Sequence, residues 1–284
     1  MANQIRRRDF GRALLLVGCS SVLFAEKAAK TDNGFRPLFD GVSLRGWTRQ
    51  PRSLAQPSLG RWVVEDGAII GGQDPPGSGL GSYLVSDETF SDFELQIEAR
   101  PDWRADTGIL VRTVPQGNVG FQVLLDHRPH GGIGGYYGNQ LWNFHAWNYG
   151  FDGQTDKDGR LVRLIPEKPS EPSANNHTVP LDFAAPPQVF LKIWKVNDWN
   201  RFRIRSVNAV PHLTTWINDE KIAELDTAKM KSPGWDPHAA LEKVGRAGHI
   251  ALEVHSNGPN DKLGKDRWAP GAVCRWRHIS IKTL

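Results

Sequence analysis

Cysteine is nearly missing from this chain: Cys19 and Cys274 are the only two among 284 residues. A scaffold held by several disulfides is therefore excluded, and with Cys19 lipidated or removed no internal disulfide can form. Helical periodicity is almost absent too. Asp236 to Val244 is the exception, with Asp236 in the cap position and Pro237 at the first helical one. No apolar run approaches the ~20 residues that a membrane-spanning helix needs. Excess charge is also scarce. The formal net charge is +4, and Arg6, Arg7, Arg8 and Arg12 less Asp9 supply three of those four charges. The rest of the chain is close to neutral, so its basic isoelectric point carries no message about nucleic acid, and no such partner is expected. A G-x-S-x-G nucleophile elbow is missing. Gly131-Gly132-Ile133-Gly134-Gly135 has the look of a phosphate loop, but no helix follows it to receive an anion.

Residues 1–25 are expected to stand outside the fold as an export signal. A basic start, Arg6-Arg7-Arg8-Asp9-Phe10, precedes an apolar run from Ala13 to Phe24 that is short for a bilayer. Arg7-Arg8-Asp9-Phe10 resembles the core of a twin-arginine signal. Leu16-Val17-Gly18-Cys19 resembles a lipobox, while ordinary cleavage near Ala25 stays open. The expected location is the periplasm or cell surface, with the membrane reached only through a lipid on Cys19. Residues 26–33 then read as a polar linker.

From 34 to 284 the pattern is that of an all-β domain. Phe93 to Arg100 alternates strictly, with Phe93, Leu95, Ile97 and Ala99 on one face and Glu94, Gln96, Glu98 and Arg100 on the other. Asp66-Gly67 between Arg61–Glu65 and Ala68–Ile70 is the strongest hairpin signal. Further hairpins are expected at Asn197 to Asn200, between strands at Gln188–Val196 and Arg201–Val207, and at Asn218 to Glu220. His249–His255 and Val273–Ile281 alternate again, and Asp152 to Pro187 reads as a long excursion. Many short strands without a fixed repeat predict a two-sheet antiparallel jelly-roll sandwich.

The candidate site lies between Asp106 and Asp152. Ile109–Val111 and Phe121–Leu125 predict a strand pair, and the second strand runs into Asp126-His127-Arg128. A glycine-rich loop, His130 to Gly135, follows. Tyr136, Tyr137, Trp142, Phe144, His145, Trp147 and Tyr149 then crowd together. A base, an acid, a fixed cation and aromatic rings at one strand end suit a polar, ring-shaped ligand. The plainer reading is a surface loop packing its own aromatics.

Several blocks, in order, resemble one family. They are Phe39-Asp40-Gly41-Val42-Ser43-Leu44-Arg45-Gly46-Trp47; Trp62 to Ile69; Asp92-Phe93-Glu94-Leu95 with Glu98 and Arg100; Thr107-Gly108-Ile109 with Arg112; Gly248 to Leu252 with His255; and Arg275 to Ile279. Together they resemble the 3-keto-disaccharide hydrolase domain family. That resemblance implies a concanavalin-like jelly roll acting on glycosides already oxidised to a ketone at carbon 3. Where many members carry G-x-E-x-Q, this chain has Gly120-Phe121-Gln122-Val123-Leu124, so a role resting on that glutamate cannot be carried over.

The implied chemistry is base removal of the acidic hydrogen on carbon 2, expulsion of the carbon 1 substituent, and addition of water to the enone. It needs a base, a holder for the enolate oxygen and an acid for the leaving group. The catalytic candidates are His255, His127, His145 and Asp126. The candidates for holding a small carbohydrate are Arg112, Arg128, Gln122, Glu98, Tyr136 and Trp142. Each has a plainer use: His255 as a sheet-edge cap, Arg112 in an ion pair, tryptophans as core. A divalent ion held by Asp126, His127, His145 and His255 is the one cofactor these donors leave open, and no tight spacing supports it. Two rival functions remain at this stage. A lectin-like binding module needs only aromatics and hydrogen-bonding groups around a groove. An ordinary glycosidase needs two carboxylates about 5 to 9 Å apart, for which Glu94 and Glu98 are the candidates.

Overall fold

The strand-dense pattern folds into two antiparallel sheets packed face to face. The computed structural model describes residues 34–55, 57–147, 149–167, 177–258 and 266–284. The export signal, the lipobox at Cys19 and the linker to Asn33 lie outside the described residues. One sheet runs β13 (Phe183–Ala184), β16 (Glu220–Asp226), β15 (His212–Ile217), β14 (Asn200–Val207), β6 (Phe93–Pro101), β18 (Val273–Thr283), β4 (Ala68–Gly72) and β3 (Arg61–Glu65). The short β1 (Arg36–Pro37) adds on at β18. The other runs β10 (His145–Ala146), β9 (Ile133–Asn139), β8 (Gly120–His127), β7 (Ala105–Thr113), β17 (His249–Val254), β5 (Ser82–Ser86) and β2 (Trp47–Pro51). A separate hairpin joins β11 (Phe151–Thr155) to β12 (Leu161–Pro166). This is the expected jelly-roll sandwich.

Alternation builds the core between the sheets. On β6, Phe93, Leu95, Ile97 and Ala99 are buried while Glu94, Gln96, Glu98 and Arg100 are half-buried on the other side. Opposite them, Ile109 and Val111 from β7, Phe121, Val123 and Leu125 from β8, and Ile250 and Leu252 from β17 complete one continuous cluster. Each such large apolar side chain contributes about 1.5–3 kcal/mol by leaving water. Within the cluster Trp62 and Trp276 pack with their rings tilted at 5.7 Å, and a Cβ on Gly71 would strike both rings. Cys274 is buried as a free thiol.

Two local expectations need correction. Gln188–Val196 is not a strand: Pro187–Ile193 is a short helix, α1. Pro187 presets the first turn, and Val189, Phe190, Ile193 and Trp194 recur at helical spacing, so Phe190 and Trp194 stack at 5.4 Å. The stretch His130 to Gly135 is a loop only in its first half, because β9 begins at Ile133. The second helix, α2 (Pro237–Val244), forms where its start signal placed it, with Asp236 accepting from the backbone N–H groups of His238 and Ala239.

Candidate functional site

Strand parity decides what the site contains. On β8 the odd residues Phe121, Val123 and Leu125 face the core, so the even residues Gln122, Leu124 and Asp126 face outward. The β7 partner of Asp126 in the ladder is Asp106, and the β9 partner of Gln122 is Tyr137. Tyr137 in turn pairs with His145 on β10. On the far side, Glu253 of β17 lies opposite Tyr83 of β5. A row of polar groups thus crosses the outer face of this sheet. Arg52, Arg128, Trp147, His255 and Arg267 arrive from loops and turn the row into a cleft of about 220 Å³. Ligand pockets for drug-sized molecules run to roughly 300–1,000 Å³, so this cleft suits a single ring.

Glycine at position 108 shapes the floor. Its hypothetical Cβ would lie 2.2 Å from Gln122 Nε2 and 2.6 Å from Gln122 Cγ. The bare backbone lets Gln122 reach across β7 and donate to Glu253 Oε2 at 2.6 Å. Glu253 is completely buried and also pairs with Arg52.

The charge arrangement centres on Asp106. Its side chain is 2% exposed and accepts from Arg267 Nη1 at 2.6 Å and Arg128 Nε at 3.1 Å. Burial alone would raise its pKa. His255, Arg128, the hydrogen bond with Asp126 and Arg267 outweigh that and hold Asp106 well below the usual carboxylate range. Asp126 goes the other way: burial and the adjacent Asp106 charge hold its proton on well above the usual range. The pair therefore shares one proton, as two touching carboxyls must. Asp126 Oδ1 is buried without a hydrogen-bond partner.

Both cleft histidines are neutral. His255 Nδ1 donates to the Ser256 carbonyl at 2.5 Å, a tautomer assigned from that partner, which leaves Nε2 to accept from Arg52 Nη2 at 3.0 Å. Burial first, then Arg52 and Arg267, push its pKa down to about 4 against the pull of Asp106 and Glu253. His145 packs between the tilted rings of Tyr137, 4.7 Å away, and Trp147, 5.7 Å away. Burial, Arg267 and His177 push it down to about 4 as well.

Of the candidates named from sequence, the structure gathers His255, His145, Asp126, Arg128 and Gln122 in the cleft. The other five lie elsewhere. His127 shares the core parity of Leu125: it is buried, 3.0 Å from the Asp102 carbonyl through Nδ1, and packed against Trp103 and Trp194. Burial pushes its pKa down to about 4. The quartet Asp126, His127, His145 and His255 therefore does not assemble. Among the described residues no three His, Cys, Asp or Glu side chains converge as a metal site. Arg112 has a left-handed backbone, φ 51°, that carries its side chain inside, where it is completely buried. There it binds Asp92 and the carbonyls of Asn208 and Arg246, tying three loops together. Tyr136 sits on the core face, its hydroxyl donating to the Ala223 carbonyl and accepting from Thr215. Glu98 is on the opposite sheet, paired with Arg277 and His278. Trp142 packs edge-on against Trp235 at 5.2 Å.

Of the residues lining the cleft, Asp106, Arg52 and Arg267 were not singled out, and Tyr137 and Trp147 were named only within the aromatic crowd. Parity and pairing could have found Asp106 and Tyr137, since both face Asp126 or Gln122 across one ladder step. Arg52 and Arg267 come from distant loops and carry no local signal.

Comparison with solved structures returns distant likenesses. A provisionally assigned glycosyl hydrolase of Parabacteroides distasonis is 16% identical over 88% of this chain and 94% of that one, with a TM-score of 0.45. A carbohydrate-binding module of Bacillus subtilis is 11% identical over 84% of this chain and 96% of that one, with a TM-score of 0.40. At this distance neither likeness bears on the chemistry. The search of curated protein sequences found no match. The model of the 3-keto-alpha-glucoside-1,2-lyase-like domain matches residues 34–282, which span both sheets and every group lining the cleft. The chain belongs to that family.

Proposed function

We propose that the cleft binds a 3-keto-glycoside and breaks its glycosidic bond by elimination across carbons 1 and 2. The observation that carries this reading is the convergence, in one small cleft, of a neutral imidazole, a carboxyl that keeps its proton and several guanidinium groups. His145 is the base. Its ring contacts in the cleft are aromatic, whereas His255 Nε2 is already engaged by Arg52. A ring pushed down to about 4 is unprotonated near neutral pH and ready to take the hydrogen from carbon 2. The enolate oxygen that forms on carbon 3 meets the guanidinium edges of Arg52, Arg128 and Arg267, which are fixed in place by Glu253 and Asp106. Asp126 gives its proton to the departing oxygen on carbon 1.

The arrangement does not support the two-carboxylate route. Asp106 and Asp126 are in hydrogen-bond contact, closer than the roughly 5–5.5 Å that even a retaining glycosidase requires. The test is a comparison of two substrates. The purified protein should cleave a 3-keto-glucoside and leave the unoxidised glucoside intact, because the latter has no acidic hydrogen on carbon 2. Equal binding of both sugars with turnover of neither would make the domain a lectin-like binding module instead.

A further inference from the structure

The sheet that does not carry the cleft turns arginine outward. On β14, Phe202 and Ile204 enter the core, so Arg201, Arg203 and Arg205 stand on the outer face. The ladder sets them beside Glu98, Gln96 and Glu94 of β6, and Arg277 of β18 flanks Glu98 from the other side. Arg100 and Arg275 pair two residues further along. Three of these six guanidinium groups have a carboxylate: Arg201 has Asp219, Arg275 has Asp102 and Arg277 has Glu98. Among the described residues no carboxylate lies within ion-pair distance of Arg100, Arg203 or Arg205. Two of those three are held in place all the same. Arg203 lies over the Trp216 ring at 4.0 Å, and Arg100 over the Trp199 ring at 5.0 Å. A guanidinium held by its face keeps its N–H edges free, and those edges grip carboxylates and sulfates. Trp199 also lines two hollows on this face. One, of about 580 Å³, has Lys192, Lys195 and Arg201 around it; the other, of about 350 Å³, has Arg100, Arg275 and Arg277.

We propose that this face binds an acidic polysaccharide, a sugar chain carrying spaced carboxylates or sulfate esters, laid across the two hollows beside Trp199. Length argues for a chain. Arg205 stands level with Glu94, and Arg100 lies six residues along the same strand, so the unpaired arginines span roughly 20 Å. No single small anion bridges that distance. The mixture of charges argues for sugar. Glu98 and Asp219 line the first hollow, and Glu65 and Asp66 the second. Those carboxylates accept from hydroxyls and repel a densely charged polymer such as single-stranded DNA. Trp199 has two guanidinium groups against it, Arg277 at 4.1 Å and Arg100 at 5.0 Å, which leaves a poor platform for a nucleobase. A bilayer surface does not enter hollows, whereas a chain does. The face lies across the sandwich from the cleft, so the proposal stands whether or not the elimination reading does.

Affinity electrophoresis at low salt tests it, with polygalacturonate, chondroitin sulfate, neutral dextran or single-stranded DNA in the gel. Co-sedimentation with vesicles containing an anionic lipid runs in parallel. One or both acidic polysaccharides should retard the protein and dextran should not; the stronger of the two identifies carboxylate or sulfate as the source of the charge. The double variant Arg100→Gln with Arg203→Gln should bind about 10-fold more weakly, the loss expected for two exposed charge contacts. Arg205→Gln removes an exposed side chain without an ion pair, so it keeps the fold and should weaken binding about two- to threefold. Thermal melting checks that each variant is folded. No retardation by either acidic polysaccharide would overturn the proposal, as would equal retardation by dextran. Binding as tight to single-stranded DNA or to the vesicles would replace the sugar chain by another partner. Undiminished binding in the folded variants would remove this face as the site. Loss of binding in folded Arg128→Gln, with the three outer arginines intact, would move it to the cleft.

Discussion

Asp106 and Asp126 have the same side chain, sit opposite each other on one ladder and are held in opposite protonation states. Their substitution by asparagine should separate those roles. Asp126→Asn replaces a neutral group by a neutral group of the same shape, so at about pH 4, where the unfolded carboxyl also largely keeps its proton, the unfolding free energy should fall by about 1 kcal/mol or less. Turnover should fall about 100-fold or more with the loss of the acid. Asp106→Asn takes the buried carboxylate away from Arg128 and Arg267 and should cost about 3–5 kcal/mol of stability. Chemical denaturation paired with steady-state kinetics on both variants checks the contrast, and equal stability losses would contradict it. Half of the candidate site was legible at this scale. Asp126, Arg128, Gln122, His145 and His255 stood out as polar groups among apolar strands. His127 was misplaced although Phe121, Val123 and Leu125 already announced which parity faces inward. Tyr136 failed in the same way, one residue from Tyr137.

At the scale of elements, the sheet acts as a grid on which ladder pairs become site neighbours. The hairpins at Asp66-Gly67 and Asn218 to Glu220, the alternating β6 and the capped α2 could be read from local chemistry, since turn residues and periodicity are contained within a few positions. What brought β17 between β7 and β5 could not, because those pairings join residues more than a hundred positions apart. The same limit hid Arg52 and Arg267. Local signal failed on α1 for a different reason: Gln188–Val196 is apolar enough for either element, and the proline-started helix won by stacking Phe190 on Trp194. The grid also makes Gly108 indispensable. Gly108→Ala should drive Gln122 off Glu253 and cost about 1–3 kcal/mol, as overpacking of a filled site does. Sugar binding should weaken with it. An alanine variant with unchanged melting and binding would show that Gln122 does not depend on the bare backbone beneath it.

For the whole molecule, the buried titrating groups set the response to pH. His127, His145 and His255 are pushed from the ordinary value near 6.5 down to about 4. Between those limits the unfolded chain takes up protons that the folded one refuses, so stability falls as pH drops from about 6.5 to about 4. Asp126 has the opposite sign. Its folded pKa is raised, so its contribution is fully present below the unfolded value near 3.9 and is lost as pH rises through the folded value. Asp106, held low, adds stability above the unfolded value that disappears on further acidification. Three histidines against one carboxyl predict a net loss on acidification, read as a falling denaturation midpoint from pH 6.5 to 4. In Asp126→Asn the stability relative to wild type should rise with pH above about 4. A midpoint independent of pH across that window would show that the histidines are not buried as neutral rings.

The central claim for the molecule is that a cleft base breaks the bond between carbon 2 and its hydrogen before the glycosidic bond is gone. A 3-keto-glucoside carrying deuterium on carbon 2 tests this directly. The label is followed by mass spectrometry in the first turnovers, with unreacted substrate as the control for spontaneous exchange. Elimination followed by addition of water predicts a sugar product that has lost its deuterium to solvent while the remaining substrate keeps it, and slower turnover of the labelled substrate. A product that retains the deuterium, formed as fast as from unlabelled substrate, would mean that carbon 1 is attacked directly and would contradict the account.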